Sequence, residues 1–192
     1  PLLTIILMTL AVDRVLSGLT QLLWGSIDRP LTIFTGIDAI GIPSVIRIEA
    51  SNFLFEGQVR IRGDLLVGLD WHPGGVASPL EAEGLRQLAE YFAGQRRAFD
   101  LPLDWGQGLQ GAVRRAMAAI ALGETRTYGE IARAIGAPAQ AVGQACGANP
   151  LPLLIPCHRV LGRNSLGGFS APGGVEAKVW LLRHEGAAGL LI

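Results

Sequence analysis

Thr127–Ala148, TYGEIARAIGAPAQAVGQACGA, carries two short helical signals on either side of a tight turn. Thr127 is an N-cap residue, and Glu130, three positions on, is its reciprocal partner, which predicts a helix running to about Ile135. Gly136-Ala137-Pro138 reads as the turn, and Pro138 suits the first position of a further helix over Ala139 to Ala148. Two short helices across a glycine-containing turn are a helix-turn-helix candidate. An ordinary helical hairpin carries the same signals. The second helix is built almost wholly from Ala139, Ala141, Gly143, Ala145, Gly147 and Ala148. Small side chains let a helix backbone approach closely, as a DNA minor groove about 6 Å wide demands. Close helix–helix packing uses the same residues.

Upstream, Leu109, Val113, Met117 and Ile120 recur on one helical face, and Gly123 ends that pattern. Further back, Val59 and Ile61 alternate with Arg60 and Arg62, Gly63-Asp64 turns, and Leu65 to Trp71 continues extended, which predicts a hairpin over 57–71. A loop marked by Pro73-Gly74-Gly75 follows. Ser78 with Glu81 is a capping-box signal, with Leu85, Leu88 and Phe92 at helical spacing behind it and an end near Gly94. Asp100 to Asp104, containing Pro102, reads as an extended linker. The resulting organisation is an unassigned segment 1–45, a small α/β domain at 46–105, and a mainly helical domain at 106–192. The apolar run at residues 1–10 is too short to span a bilayer and lacks the basic flank of a signal peptide. Met8 is a candidate start.

The chain has 192 residues, of which 49% are hydrophobic and 17% charged, so it reads as a folded globular protein. Net charge is zero, but residues from 106 onward hold eight basic against four acidic side chains. A basic half is compatible with a polyanionic partner. The two cysteines, Cys146 and Cys157, make no disulfide framework, and no Cys/His set has zinc-ligand spacing. A reducing compartment, the cytoplasm, is the expectation, with no metal and no membrane contact.

Downstream of the small-residue helix, Asn149-Pro150-Leu151-Pro152-Leu153-Leu154-Ile155-Pro156-Cys157-His158-Arg159-Val160 reads as a stiff, extended segment. Neighbours in an extended chain point to opposite sides, so His158 need not touch the Cys157 sulfur, and a water between them could carry a proton. Nucleophilic chemistry needs the thiolate, and a nearby imidazole oriented by a carboxylate lowers the cost of making it. Glu185, at the end of the last helix, is the candidate carboxylate. A buried structural cysteine beside a hydrogen-bonded histidine fits the adjacency equally well. Cys146 and Trp180 read as packing residues and His72 as solvated. The glycines from Gly167 to Gly174 are no phosphate loop, because no Lys-Ser/Thr follows them.

The whole string is more specific than its parts. Asn149-Pro150 and Ile155 to Val160 closely resemble the active-site motif of the O6-alkylguanine-DNA alkyltransferases, the methylated-DNA–protein-cysteine methyltransferase family. The similarity continues through Gly167 to Gly174, Lys178, Leu181-Leu182 and His184-Glu185-Gly186. Upstream it takes in Gly123-Glu124-Thr125, Thr127-Tyr128-Gly129 and Ala141-Val142-Gly143.

The resemblance covers about residues 106–187. It implies an α/β protein, with a small α/β N-terminal domain and a mainly helical C-terminal domain carrying a winged-helix-like DNA-binding element. It implies irreversible alkyl transfer from O6 of guanine, with O4 of thymine as a further substrate, to Cys157. It also implies a monomer that acts on double-stranded DNA without a cofactor. By the same resemblance, His158 draws the Cys157 proton through a water and Glu185 supports His158. Asn149 braces the turn into the active-site segment. Tyr128 rotates a phosphate and donates to the departing guanine. Ser170 contacts O6, the carbonyls of Cys157 and Val160 read the guanine amino group, and Lys178 belongs to the same site. Ala139, Gln140, Ala141 and Gly143 enter the minor groove while the base is flipped.

Four positions depart from the family pattern. Gln140 replaces an arginine that fills the gap left by the base, Leu109 and Arg114 replace Phe and Trp, and Phe169 replaces the Tyr of some members. Two other classes remain in view, a binder of alkylated DNA that does not repair it and a cysteine hydrolase using Cys157 and His158.

Overall fold

The hairpin forms as its alternation predicts, and it is part of a larger sheet. The computed structural model of the chain describes the backbone of residues 32–37, 43–50, 53–71 and 78–187, and the side chains of 58–71 and 78–187. The apolar run at 1–10, His72 and the Pro73-Gly74-Gly75 loop lie outside the described residues. Strands β1 (Thr32–Ile37), β2 (Pro43–Ala50), β3 (Phe53–Arg62) and β4 (Leu65–Asp70) follow one another as an antiparallel meander. β1 and the start of β2 belong to the segment that had no reading from sequence. Gly63 turns the chain between β3 and β4 at φ +60°, a left-handed conformation open to glycine at little cost.

Helix α1 (Pro79–Phe92) lies across β2 and β3, and Ser78 and Glu81 form the expected reciprocal cap. Its inner face buries Leu85, Leu88, Tyr91 and Phe92 with Val59, Leu66 and Leu69 of the sheet. Gly84 sets the closest approach. A Cβ there would lie 3.2 Å from Val59 and 3.4 Å from Leu66.

The Asp100–Asp104 segment is extended as expected, but it is not a free linker. The Leu66 N–H donates to the Pro102 carbonyl and the Asp104 N–H donates to the Leu66 carbonyl, both at 2.8 Å, so the segment pairs along the open edge of β4. The Leu69 N–H donates to the Pro150 carbonyl at 2.9 Å. The sheet edge is thereby tied to the segment that carries Cys157.

In helix α2 (Gly108–Ala118), Val113 and Met117 are fully buried and Ile120 follows them into the core. Leu109, expected on the same face, is instead 40% exposed. Residues 107–109 are all exposed, in a first turn that overhangs the core. Helical spacing fixes the direction of a side chain, not whether anything lies opposite it. The helix also stops at Ala118, and Gly123 sits in the turn beyond.

After β5 (Arg126–Thr127) come α3 (Tyr128–Ile135) and α4 (Ala139–Gly147). Thr127 and Glu130 cap α3 reciprocally, and Gly136 closes it at φ +67°. Pro138 is the N-cap of α4, one position ahead of the first-turn place expected for it. α4 has a buried and an exposed side. Val142, Ala145 and Cys146 pack inward, while Ala139, Gln140 and Gln144 face outward.

The remaining elements are a single 3-10 turn (Cys157–Arg159), β6 (Val160–Leu161) and α5 (Gly174–His184). β5 and β6 pair in parallel, Arg126 opposite Val160 and Thr127 opposite Leu161. Strands of two residues leave no periodicity in a sequence, and this pairing was not anticipated. It clips the start of α3 onto the cysteine-bearing turn. Among the described residues, no helix is long and apolar enough to cross a membrane.

Leu66 is the point where sheet, α1 and the 102–104 segment meet, and it is 0% exposed. Leu66→Ala is expected to lower the unfolding free energy by about 3–5 kcal/mol in urea titrations. Leu65→Ala, at a side chain 42% exposed, is expected to change it by less than about 0.5 kcal/mol.

Candidate active site

The proline-rich segment before Cys157 is not extended. Its prolines fix individual φ angles, but Asn149 and residues 151–160 are buried, and their backbone polar groups need partners. Asn149 supplies two of them. Its side-chain amide donates to the Ile155 carbonyl at 2.9 Å and its Oδ1 accepts from the Leu151 N–H at 3.2 Å. The Ile155 N–H donates to the Leu151 carbonyl at 2.8 Å, so the segment folds back on itself and Leu153 takes φ +74°. Cys157 therefore starts a 3-10 turn rather than ending a strand, and His158 is buried beside it.

The turn directs Cys157 into a cavity and both His158 and Arg159 onto one carboxylate. Cys157, 6% exposed, lines a cavity of about 280 Å³ with Tyr128, Gly143, Cys146, Phe169 and Ser170. That is just below the range for small-molecule pockets, ~300–1,000 Å³. His158 is fully buried and its Nε2 lies 2.8 Å from Glu185 Oε1. Its Nδ1 is buried and bonded to no group among the described residues. Arg159 donates from Nε to Glu185 Oε2 and from an Nη to Glu185 Oε1, both at 2.8 Å, and from its other Nη to the Ile120 carbonyl at 2.6 Å. Tyr91, from α1, adds its hydroxyl to Glu185 Oε1 at 2.7 Å.

These contacts set the protonation states. Burial pushes the Glu185 carboxyl up, but the bonds from His158 and Arg159 outweigh it and hold the group well below the usual carboxylate range. Burial pushes His158 down, against the pull of Glu185, so its imidazole is held neutral and able to take a proton. Burial pushes the Cys157 thiol up; the Asn149 amide, the Lys178 charge and nearby backbone N–H groups work in the other direction. The resting sulfur is a thiol with its deprotonating aids already in place. Lys178 is 0% exposed, and burial pushes its pKa down to about 8. Its Nζ donates to the Val160 carbonyl at 2.6 Å and the Gly168 carbonyl at 3.2 Å, pinning the Gly167–Phe169 loop beside β6.

Of the residues singled out from sequence, Cys157, Tyr128, Gly143 and Ser170 meet at the cavity. His158 and Glu185 join as expected, and Asn149 braces the loop. Val160 and Lys178 are not among the lining residues, and Lys178 takes one of the two lone pairs of the Val160 carbonyl. Ala139, Gln140 and Ala141 lie on the outward or partly open side of α4. Cys146, read as a packing residue, is buried in the core cluster and also lines the cavity. Arg159 and Tyr91 were missed. Arg159 stands out in the sequence only as part of a motif. A tyrosine on the buried face of an amphipathic helix, where leucine would pack as well, is a signal that its hydroxyl has a partner. Among the described residues, no group of three His, Cys, Asp or Glu side chains could hold a metal ion.

The family described as "6-O-methylguanine DNA methyltransferase, DNA binding domain" matches residues 108–187. The chain is 46% identical over 111 residues to the constitutive methylated-DNA–protein-cysteine methyltransferase of Bacillus subtilis, covering 56% of this chain and 67% of that protein.

The chain belongs to the methylated-DNA–protein-cysteine methyltransferase family.

It is also 43% identical over 120 residues to the Salmonella typhimurium member, over 60% of this chain and 64% of that one. The matches thus span about two thirds of these relatives' length. A crystal structure of Mycobacterium tuberculosis OGT in complex with DNA superposes with a TM-score of 0.59 at 38% identity, over 68% of this chain and 86% of that one. An O6-methylguanine DNA methyltransferase from Methanococcus jannaschii superposes with a TM-score of 0.52 at 29% identity, over 73% and 92%. The α/β fold with its helical C-terminal part is the fold of this family.

Two outcomes follow from the geometry. A carboxylate held below its unfolded value of ~4.3 contributes stability that is present above that pH and lost as pH falls through and below it. Glu185→Gln is therefore expected to cost about 3 kcal/mol in urea unfolding at pH 7, with a shallower loss of stability below pH ~4.3 than wild type. Gly167 has φ +69°, and a Cβ there would lie 2.9 Å from the Tyr128 hydroxyl. Gly167→Ala is expected to cost about 1–2 kcal/mol in thermal unfolding. Gly168→Ala, where a Cβ meets nothing within 4 Å, is expected to be near neutral.

Proposed function

We propose that the protein repairs DNA by moving an alkyl group from O6 of guanine to the sulfur of Cys157. The observation that carries this reading is Cys157 on the wall of a small cavity, backed by the buried His158–Glu185 pair and flanked by the open side of α4. Family membership supports it.

In this reading the Cys157 proton passes through a water to Nδ1 of His158, whose other nitrogen is held by Glu185. The thiolate attacks the alkyl carbon in line. The S–C bond forms as the C–O6 bond breaks, and the electron pair leaves with the guanine. Tyr128, kept protonated because burial and then the neighbouring Cys146 and Cys157 raise its pKa, donates a hydrogen bond to the departing base. Ser170 contacts O6. The Cys157 and Val160 carbonyls read the guanine amino group, with Lys178 ordering that strand. Asn149 holds the loop in register.

The alkyl carbon cannot be reached inside a duplex stack, so the base is flipped into the cavity at a cost of a few kcal/mol. Ala139, Ala141 and Gly143 let α4 approach the minor groove, and Gln140 fills the gap left by the base without the charge an arginine supplies. The product thioether is stable, so the protein reacts once, as a monomer, with no cofactor. The same chemistry extends to O4-alkylthymine. The division at residue 105 separates a variable N-terminal α/β part from this machinery, and the reducing cytoplasm is the setting that keeps Cys157 free.

Mixing the protein with a duplex oligonucleotide carrying O6-methylguanine is expected to add one methyl group to the intact wild-type mass and none to Cys157→Ala. Product is expected to stop at one equivalent. No product with DNA binding retained would move the reading to a damage binder, and continued turnover would move it to a hydrolase. Gln140→Arg is expected to speed repair of duplex DNA about tenfold, the lower end of what a hydrogen bond to a charged group contributes.

A further inference from the structure

Glu185 receives more donors than a carboxylate oxygen can serve equally. Oε1 alone faces the Tyr91 hydroxyl at 2.7 Å, His158 Nε2 at 2.8 Å and an Arg159 Nη at 2.8 Å. Oε2 accepts only from Arg159 Nε among the described residues. A carboxylate offers about two lone-pair sites per oxygen, so the three donors on Oε1 compete. Two of them come from the cysteine-bearing turn. The third comes from α1, outside residues 108–187 that the family description covers.

We propose that Tyr91 is a positioning residue that sets how strongly Glu185 acts on His158, and through it the basicity available to Cys157. Its hydroxyl is buried, and burial followed by the Glu185 charge raises its pKa well above normal, so it is a fixed neutral donor. It draws electron density from the same oxygen that holds His158. The charged and titratable groups around the pair are Arg159 from the 3-10 turn, Lys178 and His184 from α5, and Tyr91 from α1. Of these, Tyr91 is the donor that can be removed without changing a formal charge.

Tyr91→Phe leaves Oε1 to His158 and Arg159. The imidazolium form of His158 is then better stabilised, so its titration midpoint rises. Alkyl transfer needs His158 neutral at the start, so the acid limb of the transfer rate moves to higher pH by the same amount. This kinetic consequence rests on the alkyl-transfer reading; the change at the imidazole does not.

The test compares wild type with Tyr91→Phe by ¹⁵N-histidine NMR titration, with His158 assigned by exclusion using His72→Gln and His184→Gln. Single-turnover methyl transfer is followed over the same pH range. An upward shift of about half a pH unit in both readouts is expected, the scale of one hydrogen bond. A folded Tyr91→Phe protein with an unmoved or lowered His158 midpoint overturns the proposal, whatever its rate. A uniform loss of rate with no shift of the limb also overturns it, because a merely structural tyrosine gives that result. Should Tyr91→Phe fail to fold, 3-fluorotyrosine at position 91 keeps the ring and strengthens the donor. The midpoint must then fall, and no fall overturns the proposal. If wild type transfers nothing, the alkyl-transfer reading fails, and the His158 resonance still decides the role of Tyr91.

Discussion

Glu185 cannot sit as an anion in the interior unless donors surround it. Tyr91, His158 and Arg159 do so, and in doing so they join three parts of the chain that are far apart in sequence. α1 reaches the carboxylate through Tyr91. The cysteine-bearing turn reaches it through His158 and Arg159. The turn after α2 joins through the Ile120 carbonyl that Arg159 also holds. The same buried charge that orients His158 therefore fixes the position of Cys157 relative to the body of the protein. Stability and the geometry of the candidate chemistry share one set of bonds.

The cavity depends on a second constraint, that buried backbone must be hydrogen-bonded. Beside helices α3 and α4, the Cys157 turn and the Gly168–Ser170 loop line it, and neither of these two has a long ladder to satisfy it. Asn149 closes the loop before Cys157, Lys178 takes the carbonyls of Val160 and Gly168, and the short β5–β6 pair holds Tyr128 next to the turn. Lys178 is costly to bury as a cation, and its lowered pKa reflects that cost. In return it brings positive charge near the Cys157 sulfur, which favours the thiolate.

Much of this is legible in the amino-acid sequence. The caps at Ser78 and Thr127, the hairpin at Gly63-Asp64, and the two helices around Gly136 all form where local chemistry put them. Their signals are short-range, one side chain bonding a backbone group three residues away. The pairing of His158 with Glu185 was legible for a different reason, the resemblance of a whole motif to a known family. Readings that assumed surroundings fared worse. Leu109 has the spacing of a core residue and overhangs the core, and the proline-rich stretch looks extended and is folded back by Asn149.

The amino-acid order was sufficient for which elements form, which cysteine stands in a reactive motif, and which family the chain resembles, because each of those rests on neighbours within a few positions or on a continuous string. It was not sufficient for Tyr91 on Glu185, 94 positions away, for the pairing of two-residue strands, or for Cys146 on the cavity wall. Those depend on which surfaces meet when the sheet edge, α1 and the Cys157 turn close over one buried carboxylate, and a periodicity read along the chain carries no record of what lies across the gap.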